Sequence, residues 1–327
     1  MNEGSHNRDG GPLSQTSAAD LDRLMSALEV EFIRLSECLV SRGWRLDLGG
    51  PNAPGLHYAI AGTGQLTVPG RKPIPLRAHT LVVLPAGQHF SIDVVAGPHA
   101  GTRTINGREQ QFPQGALRRY VAGDGEPDLI LICGYFRATY GVGIDLFSQL
   151  AMPIVEQFDI ADHVDDRLRT ALAELVAQEV GMGSMTTTLL KQVLVMLLRR
   201  SLRSTSLWAE RFALWSDPPI ARAFGEMVTR PGAAHRVESL AQIAGLSRST
   251  FMARFAAVFA RPPMAVLRSL RMRHAAGLLA ADKNSSIEQA AAQAGYSNRA
   301  SFCRAFRTVY GCDPSEYRRT AYKAARA

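Results

Sequence analysis

The sequence predicts an α+β chain. An N-terminal antiparallel β-barrel or jelly roll with helices behind it precedes an all-α C-terminal domain of two helix-turn-helix motifs joined by a linker helix. Three observations carry this expectation. Short apolar runs separated by turn signals occupy residues 43–137, and apolar residues at helical spacing dominate from residue 162 onward. A small helical device also occurs twice, as AGLSRSTFMARF from Ala244 and AGYSNRASFCRAF from Ala294. At 327 residues and 46% hydrophobic composition the chain can bury two cores, one for each pattern.

Taken in order, residues 1–19 are rich in Gly, Ser, Asn and Asp and read as a disordered tail. Residues 20–160 read as the barrel domain. Its strand-like segments are Leu56–Ile60, Gln65–Val68, Thr80–Leu84 and Leu129–Phe136, separated by Gly-Gly-Pro at 49–51, Ala-Gly-Thr-Gly at 61–64, Pro-Gly at 69–70 and Gly-Asp-Gly at 123–125. Residues 161–215 read as a helical packing or dimerisation region. One apolar stripe there is Leu168, Leu172, Leu175 and Val176; the other is Leu189, Leu190, Val193, Leu194 and Leu197, with Gly181-Met-Gly183 between them. The Trp215-Ser-Asp-Pro-Pro219 stretch is the best linker candidate, and residues 216–327 form the last domain.

Within that domain the two copies of the device match element by element. Val237–Ala244 is a helix stopped at Gly245, Leu246 anchors the turn, Ser247 is an N-cap, and Arg248–Phe259 is a second helix with Phe251, Phe255, Val258 and Phe259 inside. The second copy runs from Ile287 to Ala294, with Gly295, Tyr296 as anchor, Ser297 near the cap, and a helix burying Phe302, Phe306, Val309 and Tyr310. The offset between copies grows from fifty to fifty-one inside the turn. Between them Pro263–Ala280 reads as one linker helix with Arg268, Arg271 and Arg273 on its surface. At about 1.5 Å per residue it is roughly 27 Å long, close to the roughly 34 Å of one DNA turn. One chain can then place two reading helices in successive major grooves.

Charge agrees with a polyanion partner for this part alone. The formal net charge of +8 divides into +10 over residues 231–327 and −2 over residues 1–230. No run of eighteen apolar residues and no secretory signal are found, so the expected location is the cytoplasm, away from membranes. The four cysteines, Cys38, Cys133, Cys303 and Cys312, form no CxxC pair, which suits reduced thiols.

These residues carry a resemblance. Ala294-Gly-Tyr-Ser, Ser301-Phe-Cys-Arg-Ala-Phe306 and Tyr310-Gly-Cys-Asp-Pro314-Ser-Glu-Tyr-Arg318 resemble the signature of the AraC/XylS transcription regulators, and the similarity extends over residues 217–322. It implies that Arg299, Ala300, Ser301 and Arg304 meet double-stranded DNA, with Arg304 the leading candidate for a base contact. In the first motif it implies Arg248, Ser249, Met252 and Ala253. Ala253 stands where the family often has Arg, and Arg254 follows it, so the first helix is expected to read methyl groups and shape, or Arg254 to reach phosphate only. Arg268, Arg271 and Arg273 are expected to be solvated or directed at phosphates.

Gly55-Leu-His57-Tyr, Gly62-Thr-Gly-Gln-Leu and Leu84-Pro-Ala-Gly87-Gln-His89 resemble the cupin-type sensor domain of the same regulators. His57, His89 and Cys133 are its candidate sensor residues. Two readings of them stay open: a His/His/Cys zinc or thiol site, with Cys38 as a redox partner of Cys133, or buried pocket residues with no metal. The His-x-His pair and Glu of enzymatic cupins are missing, which disfavours a metal-dependent cupin enzyme fused to a DNA-binding module. The resemblance implies an effector-responsive transcription regulator and no enzyme. Its partners are a promoter or operator duplex, a small-molecule or redox effector, a second copy through the middle helices, and RNA polymerase in the case of an activator.

Overall fold

The structure is a computed structural model that describes residues 18–97, 101–110, 118–141, 143–148, 150–203, 217–281 and 286–324. Residues 1–17 of the expected disordered tail lie outside these residues, while Ala18 and Ala19 begin a helix; of the expected linker Trp215 and Ser216 lie outside, whereas Asp217 caps a helix that Pro218 and Pro219 open. The chain divides into two compact units. One comprises Val30–Ala138 with Phe147–Trp208, and the other comprises Met1–Glu29, Thr139–Leu146 and Ala209–Ala327.

The strands are β1 (Glu29–Val40), β2 (Trp44–Gly49), β3 (Gly55–Thr67), β4 (Ile74–Arg77), β5 (Thr80–Leu84), β6 (His89–Val94), β7 (Arg103–Asn106), β8 (Arg118–Ala122), β9 (Leu129–Tyr140), β10 (Ile144–Asp145) and β11 (Ile154–Gln157), and all lie in the first unit except β10, Glu29 of β1 and Thr139–Tyr140 of β9. The strand order is β7-β2-β6-β3-β9-β1-β8, with β4 and β5 also on β3, β10 on β9 and β11 on β5, giving a nearly closed cupin-like barrel. Most ladders are antiparallel as expected, but β1 pairs β8 and β2 pairs β7 in parallel. Parallel pairing needs a long connection, and each of these pairs is separated by dozens of residues.

Strand β3 departs from the sequence reading in an informative way. Leu56–Ile60 and Gln65–Val68 are expected to be two strands divided by the Ala-Gly-Thr-Gly signal, whereas one strand runs from Gly55 to Thr67. Its register slips between Ala59 and Ala61, and Gly62 adopts φ +86° where a Cβ would lie 1.8 Å from the Asp128 carbonyl oxygen. The glycine therefore serves a bulge and a close backbone approach. The bulge lets β3 pair with β9 and β5 through its first half and with β4 and β6 through its second. The strand ahead of Gly43, β1, lies where the sequence reading placed none. The interior is filled by Val40, Leu46, Leu48, Leu66, Val82, Phe90, Ile92, Leu129 and Leu131, with Cys38 and Cys133 among them.

Helices α2 (Val164–Ala177) and α3 (Met182–Arg203) pack as a hairpin. Leu168 and Leu172 of α2 are buried, as are Leu190, Val193, Leu194 and Leu197 of α3. Val176, expected on the apolar stripe, is instead 64% exposed, because it lies near the end of α2.

The second unit holds α1 (Ala18–Ala27), the β9–β10 turn, and helices α4 (Pro218–Thr229), α5 (Val237–Ala244), α6 (Arg248–Phe259), α7 (Pro263–Ala281), α8 (Ile287–Gln293), α9 (Arg299–Tyr310) and α10 (Pro314–Ala324). The expected motif helices are found to within a residue. Around α7 the buried side chains Met272, Ala275, Ala276 and Leu279 join Ile287, Ala290, Ala291, Phe302 and Phe306 in one core.

Candidate nucleic-acid interface and sensor centre

The two motifs are the same device at the level of single bonds. In the first, Gly245 at φ +68° turns the chain so that its N–H donates to Gln242 O at 2.9 Å and the Leu246 N–H donates to Ala241 O at 2.9 Å. In the second, Gly295 at φ +77° repeats this, with its N–H on Ala292 O and the Tyr296 N–H on Ala291 O, both at 2.9 Å. These bonds satisfy carbonyls that a helix end leaves open. Ser247 Oγ caps α6 by accepting from Thr250 N–H, as expected. The α9 cap is Asn298, accepting from Ser301 N–H at 2.8 Å, rather than Ser297. The extra residue of the second turn displaces the serine by one place. Phe251 on Phe255 and Phe302 on Phe306 repeat at 5.4 and 5.6 Å between ring centroids.

The faces turned away from these phenylalanines carry the expected contact residues. Arg248, Ser249, Ala253, Arg299, Ala300 and Arg304 are exposed, with Met252 and Ser301 partly so. A pairing that sequence reading missed recurs in both motifs. Arg248 Nε lies 3.1 Å from Glu238 Oε1, and Arg299 NH1 lies 2.5 Å from Glu288 Oε1. Each arginine opens the second helix of its motif and each glutamate is the second residue of the first, Glu238 and Glu288 being fifty residues apart. The repeat of glutamate as well as arginine was the available sequence signal. Arg304 has a different setting, with its guanidinium 3.4 Å from Ser301 Oγ and no ion pair among the described residues.

Three other arginines, expected at the surface or at phosphates, make contacts within the protein. Arg254 donates to both carboxylate oxygens of Asp217, at 2.8 and 2.6 Å, while Asp217 caps α4 through Ile220 N–H. A bidentate pair of this kind fixes α6 to the start of α4. Arg271 is half-buried and donates to Pro231 O and Ala233 O at 2.9 and 2.8 Å, and burial lowers its pKa. It holds the Pro231–Ala233 loop, whose Gly232 passes so close to Gln293 O that a Cβ would lie 2.0 Å away. Arg273 pairs with Glu29 and donates to Gly141 O. Arg268 stays exposed.

In the barrel, His57 and Cys133 sit directly opposite each other on β3 and β9, and Cys38 Sγ is 3.4 Å from Cys133 Sγ. All three side chains are buried. His89 is not among them. It lies exposed at the start of β6, beside a cleft of about 460 Å³ also lined by Arg45, Asp47, Thr67, Phe90 and Arg108. The expected His57, His89 and Cys133 zinc set is therefore not assembled, and no group of three such side chains among the described residues is placed to hold a metal ion. The alternation of β6 explains this, since the buried Phe90 follows the exposed His89. Phe90 connects the two places. Its ring centroid is 4.4 Å from that of His57.

The ionisation of the centre follows from burial. His57 makes no hydrogen bond through either ring nitrogen. Burial, reinforced by Arg34, lowers its pKa from about 6.5 to about 3, so the ring is neutral. Burial and the hydrogen bond with Cys38 push the Cys133 thiol well up. Cys133 is held as a protonated thiol.

Comparison with known proteins agrees with this arrangement. A cupin family model matches residues 21–203, and a helix-turn-helix domain model matches residues 240–320. An uncharacterized HTH-type transcriptional regulator of Haemophilus influenzae is 25% identical over 265 residues, 81% of this chain and 85% of that one. The HTH-type transcriptional regulator MtrA of Neisseria gonorrhoeae is 24% identical over 305 residues, 91% and 97% of the two chains. The RCS-specific HTH-type transcriptional activator RclR of Escherichia coli is 37% identical over 106 residues, 32% of this chain and 37% of that one. Among the described residues no helix is long and apolar enough to cross a membrane.

His57 makes stability depend on pH in a defined window. A histidine whose folded pKa is depressed stabilises the fold fully above its unfolded value, and that contribution is lost as pH falls below about 6.5 toward about 3. Between pH 6.5 and 5, urea unfolding of the wild type is expected to lose stability by up to about 1.4 kcal/mol per pH unit more steeply than His57→Leu. Equal slopes for the two proteins would contradict a buried neutral His57.

Proposed function

Because the chain belongs to the AraC-like helix-turn-helix regulators that carry an N-terminal cupin domain, it is a DNA-binding transcription regulator, and we propose how it reads DNA and what it senses. A single chain lays α6 and α9 in successive major grooves of an operator. Arg304 makes the base contact, bidentate to guanine, while Arg248 and Arg299 exchange their glutamates for phosphates and set the helices in register. Ser249, Met252, Ala253, Ala300 and Ser301 supply the surrounding contacts. The observation that carries this reading is the bond-by-bond equivalence of the two motifs, with Arg304 the cation at their surface that is not committed to a carboxylate.

Residues 20–160 act as the sensor and residues 161–215 as the packing and dimerisation region, in the cytoplasm and without catalytic turnover. A small polar effector enters the cleft beside His89, and Phe90 relays its presence to His57 and the Cys133 strand. In the case of activation, RNA polymerase is a further partner. A second reading is favoured by the 3.4 Å approach of Cys38 and Cys133. A peroxide converts one thiol to a sulfenic acid, releasing water or an alcohol. The second thiol then displaces water from it to form a disulfide, so the two thiols lose two electrons to the peroxide.

In selection from a random duplex library, Arg304→Ala is expected to lose preference at one base position, at a cost of about 1–3 kcal/mol. Uniform weakening across all sequences would remove the base contact. For the thiol pair, hydrogen peroxide is expected to abolish two titratable thiols in the wild type and to leave no intramolecular disulfide in Cys133→Ser. Mass spectrometry showing both cysteines of the oxidised wild type still reduced would eliminate this trigger.

A further inference from the structure

Each helix-turn-helix motif contains one carboxylate and sets it against one arginine. Between Val237 and Phe259 the sole acidic residue is Glu238, and between Ile287 and Tyr310 it is Glu288. Glu238 Oε1 lies 3.1 Å from Arg248 Nε, and Glu288 Oε1 lies 2.5 Å from the Arg299 guanidinium. Ten positions in the sequence lead from the first glutamate to its arginine, and eleven from the second. The extra residue of the second turn moves the helix cap from serine to asparagine, yet the ion pair forms again. A contact that survives an insertion between its two ends is a property of the motif and not of one loop.

The helix dipole accounts for part of this, since a carboxylate in a first turn is favourable and both glutamates take the second position of their helices. Its own backbone N–H, and then Arg299, hold the Glu288 carboxyl below the usual carboxylate range, so the pair stays ionised wherever DNA binds. Any first-turn position serves the dipole, however, whereas only one that faces the next helix reaches its leading arginine. All four side chains are more than half exposed, so a DNA phosphate has access to either guanidinium. Carboxylate and phosphate oxygens accept from a guanidinium in the same way. Each glutamate therefore competes with the phosphate that its arginine would otherwise meet.

We propose that Glu238 and Glu288 are specificity-determining residues, which withhold Arg248 and Arg299 from the phosphates of an arbitrary duplex and release them on an operator. The inference rests on the regulator reading above. An exposed pair of this kind is weak and comparable to the phosphate contact that replaces it, so exchange gains little by itself. On an arbitrary duplex nothing else favours the exchange, and two cations are withdrawn from a complex that phosphate contacts alone hold together. On an operator the base contact of Arg304 seats the reading helices, phosphates are fixed beside both arginines, and the exchange follows.

The test is fluorescence anisotropy of the full chain on a random duplex and on a duplex that the wild type has selected from a library, from about 50 to about 200 mM salt. Glu238→Gln and Glu288→Gln keep the size of the side chain and an oxygen acceptor. Each is expected to bind the random duplex about two- to fivefold more tightly, with the slope of log affinity against log salt steeper by about one. The selected duplex gains less than about twofold, so the ratio between the two affinities falls. Glu316→Gln, which removes an exposed carboxylate of α10 outside both motifs, leaves that ratio unchanged. Equal tightening on both duplexes would make the glutamates ordinary repulsive charges and overturn the proposal. So would an equal fall in the ratio for Glu316→Gln, unchanged affinity for the random duplex, or weaker binding to both, which would show that the glutamates only orient the arginines. A wild type that enriches no duplex at all removes the regulator reading together with the proposal.

Discussion

Helix α7 carries the hydrophobic contacts on which both helix-turn-helix motifs lean, and its length fixes what they can reach together. Val266, Leu267 and Leu270 lie buried along its first half, and Met272, Ala275, Ala276 and Leu279 along its second, where α8 and α9 share their core. Nineteen residues at about 1.5 Å rise span roughly 28 Å, so the helix acts as a spacer of nearly one DNA turn. A helix packed along one side does not stretch. The separation of α6 and α9 is therefore a property of packing, whereas their chemistry is a property of their exposed faces.

That division separates the arginines proposed to read DNA from those that hold the fold. The C-terminal part is strongly basic, but several of its cations are spent internally. Arg254 clamps the cap of α4, Arg271 gathers the carbonyls of the Pro231–Ala233 loop, and Arg273 ties Glu29 and Gly141 to α7. Arg248 and Arg299 are held by glutamates in exposed pairs, which cost little to exchange for phosphates. Charge steers the unit to a polyanion; the internal pairs decide its shape. The barrel uses polarity in the opposite sense, burying His57, Cys38 and Cys133 in a packed interior where burial keeps His57 and Cys133 neutral.

Much of this was legible in the sequence, for identifiable reasons. The motif helices follow from glycine stops, polar caps and phenylalanines at helical spacing, all of which are local signals, so their boundaries were found to within a residue. The proximity of Cys38 to Cys133 was only one option in the sequence, because no spacing dictates which strands become neighbours across the sheet. Gly62 was misleading for a related reason: a glycine that permits a bulge against Asp128 has the same signature as one that makes a turn. The zinc set failed at His89, where the alternation of a short strand places the histidine outside. The internal contacts of Arg271 and Arg273 were not legible, because a long side chain on a helix surface has no sequence mark to show whether a carbonyl, a carboxylate or a phosphate will meet it. The repeat of Glu238 at Glu288 was visible and passed over.

The central claim is that one chain presents two equivalent reading helices at a separation set by α7. Hydroxyl-radical footprinting of the full-length protein on its selected duplex tests it most directly. The account predicts two protected patches on one face of the DNA, about 10 base pairs between centres, with the patch opposite α9 lost in Arg304→Ala while the patch opposite α6 persists. A single continuous patch no longer than one groove, or two patches on opposite faces, would contradict it.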